Sequence, residues 1–187
     1  MRTRKRKSNP YNNPLTLEHK AFYLAAKLLS EDLEHKFPPE DGLDFQGVYE
    51  GTAGAKVRWQ FADKPEGFHS ESGVNFLQRA GVMFKEVCYG VTTITSPDDR
   101  EAILLIGTDW WTTAWLNGQP VVSARDPKFV AEDGAPFMGW RPLPARVQLK
   151  KGANTLLVKC HGGSSYEWFT CFVSDPGDLT FSAKPPK

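Results

Sequence analysis

Two rhythms of apolar residues divide the chain. Leu17, Phe22, Leu24, Ala25, Leu28, Leu29 and Leu33 recur at helical spacing, with Glu18, Lys20, Lys27 and Glu31 largely between them. That spacing predicts a helix over 15–36, capped by Thr16 and ended by Pro38-Pro39. Beyond the prolines the period shortens to two. Val57, Trp59 and Phe61 share one face of a strand, as do Val87, Tyr89, Val91 and Thr93 within 85–95. Ala102 to Ile106 is continuously apolar, as a central strand would be. Thr112 to Leu116 and Gln119 to Ser123 flank Asn117-Gly118, a pair that tolerates positive φ and so predicts a tight hairpin. Shorter strands are expected at 147–149, 154–160, 168–173 and 179–181, with Lys150-Lys151-Gly152-Ala153 as a reversal before the second.

Short strands in series, with turns between them and no βαβ alternation, predict an all-β fold: an antiparallel β-sandwich with one N-terminal α-helix. The chain divides into a flexible basic arm (1–14), the helix (15–36), the sandwich (37–181) and a Pro- and Lys-rich tail (182–187). With 187 residues there is material for one domain with a real core, but little for two.

A net charge of +1 gives the whole chain no field for nucleic acid or membrane. The local exception is Arg2, Arg4, Lys5, Arg6 and Lys7, which reads as a solvated tail or, less simply, as a contact for an anionic surface. No stretch reaches the roughly 20 apolar residues of a membrane-spanning helix, and no signal peptide is visible: the basic start runs into a polar, turn-forming segment from Ser8 to Pro14.

Several segments together carry a resemblance. Gly107-Thr108-Asp109, Trp115-Leu116-Asn117-Gly118 and Leu149-Lys150-Lys151-Gly152-Ala153-Asn154-Thr155-Leu156-Leu157-Val158-Lys159 are similar to galactose-binding-domain-like jelly rolls. Such modules include the sugar-binding-type accessory domain of glycoside hydrolase family 2. Phe37-Pro38-Pro39-Glu40, Val57-Arg58-Trp59 and Tyr89-Gly90-Val91-Thr92 fit the same layout, so the resemblance covers roughly residues 37–181. It implies a jelly roll that either binds carbohydrate or buttresses a neighbouring catalytic domain or subunit, in an extracellular or periplasmic setting. It also implies that a structural calcium is an option, for which Asp41, Asp44, Asp98, Asp99 and Asp109 could supply hard oxygen ligands. The sequence departs from the pattern where Trp110 and Trp111 follow Asp109.

Candidate chemistry is sparse for an enzyme. His19, His35, His69 and His161 are the only histidines, and none stands in a triad-like setting. The carboxylates Asp98, Asp99, Glu101, Asp109, Glu132, Asp133 and Glu167 are not paired by any sequence pattern, whereas glycoside hydrolysis needs two across a cleft. Cys88, Cys160 and Cys171 lack metal-ligand spacing and read as buried thiols; Cys160 and Cys171 could lie on adjacent strands and pair in an oxidising compartment.

The aromatic residues say more. An indole face stacks on the C–H face of a sugar ring, while the hydroxyls need Asp, Arg or His. A loop rim of Asp109, Trp110, Trp111, Trp140, Arg141 and His161 has those ingredients and is the expected ligand-binding site; core packing of the same rings is the plainer alternative. The long loop from Ala124 to Pro144 supports a role at the rim. The expectation is therefore a non-catalytic carbohydrate-binding or accessory module of a saccharide-processing protein, without cofactor. The alternative is a structural module that docks on a neighbouring domain or subunit.

Overall fold

The computed structural model describes residues 21–27, 35–50, 56–62, 74–75, 86–108, 111–123, 143–161 and 168–182. In chain order they form β1 (Ala21–Lys27), α1 (Pro38–Asp41), β2 (Val48–Glu50), β3 (Lys56–Arg58), β4 (Gln60–Ala62), β5 (Val74–Asn75), β6 (Glu86–Ser96), β7 (Arg100–Thr108), β8 (Trp111–Leu116), β9 (Gln119–Val122), β10 (Leu143–Leu149), β11 (Gly152–His161), β12 (Trp168–Val173) and β13 (Thr180–Ser182). Every pairing is antiparallel. Among the described residues the fold is the expected all-β sandwich.

The larger sheet runs β4-β1-β6-β11-β8-β9, and the smaller runs β10-β7-β12-β5. The 11-residue β6 organises the larger one. Along one edge it pairs with β11 from Val87 to Ser96. Along the other it carries two strands end to end, β1 on 86–91 and β13 on 93–95. The apolar run of β7 is central, as expected, lying between β10 and β12.

The N-terminal helix is a correction. Over the described part of 15–36, residues Ala21–Lys27 form a strand, and the helix that exists is the four-residue α1 at the prolines. Phe22, Leu24 and Ala26 also alternate, so the segment satisfies both periods. As a strand it pairs on both sides, with β4 from Ala21 to Tyr23 and with β6 from Phe22 to Lys27. That tertiary pairing overrides a modest local helical preference. The larger sheet therefore recruits chain from before residue 37. The arm 1–14, the remainder of 15–36 (15–20 and 28–34) and residues 183–187 lie outside the described residues.

Alternation along β6 and β11 separates two cores. Cys88 and Ile94 from β6, with Leu156, Val158 and Cys160 from β11, face the smaller sheet and meet Leu104, Ile106, Ala145 and Val147 there. Val87, Tyr89 and Val91 from β6, with Leu157 from β11, face the opposite way and are covered by Trp59, Phe37, Leu43, Phe45 and Tyr49. The paired stretch of β6 and β11 is thus buried on both faces. Its outer cover is α1, the chain after it and the β2–β3 hairpin, and this third layer builds the site described below.

The β8–β9 hairpin turns as its sequence predicts. Asn117 and Gly118 hold φ values of 51° and 77°, the pair of positive angles of a type I′ turn. Asn154, fully buried, ties this turn to the Lys150–Gly152 reversal. Its Nδ2 donates to the carbonyls of Lys150 (2.8 Å), Gly152 (3.1 Å) and Ile94 (3.3 Å). Its Oδ1 accepts from the Lys150 amide at 2.9 Å and from Asn117 Nδ2 at 2.8 Å. Asn117 Oδ1 in turn accepts from the Thr155 amide at 2.9 Å.

Candidate functional site: a cleft beside Trp115

Of the six residues expected at a ligand rim, the described structure brings two together. Trp111 opens β8 and His161 closes β11, and they are direct partners across the strand pair. Asp109, Trp110, Trp140 and Arg141 lie outside the described residues, as does 124–142 of the long loop.

A different group is fully built. The odd positions of β11 face the outer core, where Leu157 is followed by Lys159, a cation 1% exposed in mid-strand. Burying an ammonium is costly unless it is paired. The first turn of α1 supplies the partner: Lys159 Nζ lies 2.7 Å from Glu40 Oε1, and their side chains are 2% and 8% exposed. Nζ also donates to the carbonyl of His35 at 2.5 Å. The same Glu40 oxygen accepts from the Tyr89 hydroxyl at 2.5 Å and from the Phe37 amide at 3.3 Å. Nζ stands 5.5 Å from the centre of the Phe37 ring and 5.9 Å from that of Tyr89, so aromatic faces complete its surroundings. Burial pushes the Tyr89 phenol far above its usual range, and the Glu40 carboxylate it donates to pushes it further the same way. Pro38 at the helix start and the Glu40 contact to the Phe37 amide set this short turn's direction, satisfying a helix-terminal donor as in half of a capping box.

Pinned in this way, α1 forms one wall of an open cleft. Lys36, Pro39, Glu40, Asp41, Gly42 and Leu43 line that side, and Trp115, Asn117, Gly118, Thr155 and Leu157 line the other. The volume is about 510 Å³, within the range of small-ligand sites. Trp115 is half-buried and packs against the outer core, so the indole is held in place while it still reaches the cleft. Lys36 and Asp41 are exposed and place an ammonium and a carboxylate at the same mouth. Asn117 is tied to Asn154 and to the Thr155 amide, which anchors the hairpin turn to β11. A fixed aromatic face with a donor and an acceptor nearby can stack on the apolar face of a ring and hydrogen-bond its hydroxyls.

The sequence placed Trp115 in the hairpin strand without assigning it to a ligand. Its signal was position: it stands two residues before Asn117-Gly118, close to the hairpin end. Lys36 and Asp41 flank the Pro38-Pro39 stop and gave no such signal.

Four of the five carboxylates considered for calcium are described. Asp98 pairs with Arg100, which also reaches Asp178 at 2.7 Å; the Asp98–Arg100 hydrogen bond holds that carboxyl below its usual range. Asp99 Oδ1 accepts from the Lys151 amide at 2.6 Å. Asp44 Oδ1 accepts from the Gln46 amide at 3.0 Å, and Asp41 lines the cleft. Asp109 is outside the described residues. Among the described residues no three His, Cys, Asp or Glu side chains gather as a metal site would. The cysteine expectation is also corrected. Cys160 and Cys171 are not on adjacent strands, since β11 belongs to the larger sheet and β12 to the smaller. The residues opposite Cys160 are Cys88 on β6 and Thr112 on β8.

No family model matches the chain, and no curated protein does. Solved structures align to it at low identity. A β-glucosidase from Kluyveromyces marxianus aligns with a TM-score of 0.44 and 15% identity, over 81% of this chain and 16% of that one. The same enzyme in complex with glucose gives 0.43 and 15%, with the same coverage. A family 31 α-xylosidase from Xanthomonas citri gives 0.40 and 11%, over 81% of this chain and 13% of that one. This chain therefore spans a small part of each glycoside hydrolase it aligns with.

Proposed function

We propose that this chain is a non-catalytic saccharide-binding module of the galactose-binding-like kind, an accessory part of a saccharide-processing protein, and that it meets a sugar ring at the Trp115 cleft. One observation carries the reading: an indole anchored in the outer core reaches a cleft whose mouth also holds Asp41 and Lys36. The carboxylate can accept from vicinal hydroxyls and the ammonium can donate to them, while the ring stacks on C–H bonds. A balanced pair of charges suits a neutral sugar better than an acidic one, because neither sign dominates the mouth. Glu40, the other carboxylate at the cleft, is already an acceptor for Lys159, Tyr89 and the Phe37 amide, which suits a structural role better than proton transfer.

The test is a screen of neutral oligosaccharides by affinity electrophoresis, followed by calorimetry on any hit. The expected result is saturable binding that weakens at least tenfold in Trp115→Ala, about 1.4 kcal/mol or more, and weakens less in Trp115→Phe, with both variants folded by circular dichroism. No binding to any glycan would sink this reading and leave the alternative of a buttressing module. Turnover of a glycan by the purified chain would overturn its non-catalytic part.

A further inference from the structure

We propose that Cys88 and Cys160 form a dithiol that closes to a cross-strand disulfide when the chain folds under oxidising conditions. They are direct partners in the β6–β11 pair. Both belong to the inner core, at 0% and 4% exposed, so their side chains leave the sheet on the same face. Cys88 Sγ lies 3.9 Å from the Cys160 carbonyl oxygen, which shows the thiol leaning toward the opposite strand.

Directly opposed residues in an antiparallel pair have Cα atoms about 4.5–5.5 Å apart, whichever kind of site they occupy. Disulfides accept Cα separations of about 4.4–6.8 Å. The register alone therefore puts the two cysteines within bridging distance. Cys171 lies on β12 of the other sheet, so Cys88 is the cysteine that strand pairing sets directly opposite Cys160.

The reaction needs an oxidant, and a low-molecular-weight disulfide such as oxidised glutathione supplies it. One cysteine loses its proton, and the thiolate attacks the small disulfide and releases one glutathione thiolate. The second cysteine, also deprotonated, displaces the other glutathione from the mixed disulfide. The protein loses two hydrogens and one oxidised glutathione becomes two reduced ones. Because both thiols are buried in the finished sheet, exchange belongs to the stage when β6 and β11 are still pairing. The bond would close a loop between residues 72 apart in sequence and so restrict the unfolded chain.

The experiment refolds the chain from urea in mixed reduced and oxidised glutathione, quenches with acid and measures the intact mass. Trypsin leaves Cys160 and Cys171 on one peptide, so mapping adds cleavage after Glu167. Loss of two hydrogens, a Cys88–Cys160 linked peptide, the same link in Cys171→Ala and a retained β signal by circular dichroism are expected. Alkylation of both Cys88 and Cys160 after refolding, a link to Cys171 instead, or a link found only in chains without β structure would each overturn the proposal.

Discussion

Lys159 follows Leu157 on the face of the sheet that carries Val87, Tyr89 and Val91, and it survives there because Glu40 reaches it from another element. A buried ion pair of this kind contributes little net stability against a well-packed apolar replacement, yet breaking one side leaves a bare charge. Glu40→Leu and Lys159→Met are each expected to destabilise the fold by about 3–5 kcal/mol, while the two combined recover most of that loss. Urea titration of all four chains, read as a double-mutant cycle, measures the coupling; strictly additive costs would show that the two side chains act independently. Tyr89 adds a pH dependence. Its folded pKa is raised, so its share of stability is whole below the ordinary phenol pKa of about 10 and is lost progressively as pH rises above it, because only the unfolded chain then ionises. Wild type should therefore lose more of its denaturation midpoint between about pH 9 and 11 than Tyr89→Phe does; parallel curves would mean that the phenol is not shielded as described.

At the scale of elements, the β8–β9 hairpin and the reversal before β11 behave as one unit because Asn154 serves both. Asn154→Ala would remove the hydrogen bonds to the Lys150 amide and Asn117 Nδ2 together, each contributing about 0.5–1.5 kcal/mol. Asn154→Asp is expected to be no better, since it sets a carboxylate against the three carbonyls that the amide now satisfies. Thermal unfolding of the two variants checks this; a melt within a degree or so of wild type would show that water takes over the network. These elements were legible in the sequence for local reasons. Asn117-Gly118 suits positive φ, and Lys150-Lys151-Gly152 turns where Gly152 takes a φ of 93°. The strand at Ala21–Lys27 was not legible, because its residues fit both a helix and a strand period. Only the edges offered by β4 and β6 decide between the two, and those edges are fixed by residues far along the chain.

For the whole molecule, the sandwich could be read from alternation and turns, but the third layer could not. Alternation identifies two faces of β6; it does not say that both are covered, or by what. The candidate site follows the same rule. Trp115, Lys36 and Asp41 come from stretches with no pattern in common, and they meet because β8 pairs with β11 and Glu40 is drawn to Lys159. The outer cover is part of the fold rather than an appendage. A chain beginning at residue 44 would lack β1 and α1, leaving the 86–91 edge of β6 open, Val87 and Tyr89 without the cover of Phe37 and Leu43, and Lys159 without its carboxylate. Exposed strand edges and bare apolar faces promote association, so this chain is expected to bind a hydrophobic dye and elute as aggregate. Adding Lys159→Met should remove the stranded charge without restoring solubility, because the missing edge and the missing cover remain. A monomeric truncated chain with a wild-type melt would show instead that the fold does not need β1 and α1, and that the wall of the cleft is held on a separable piece.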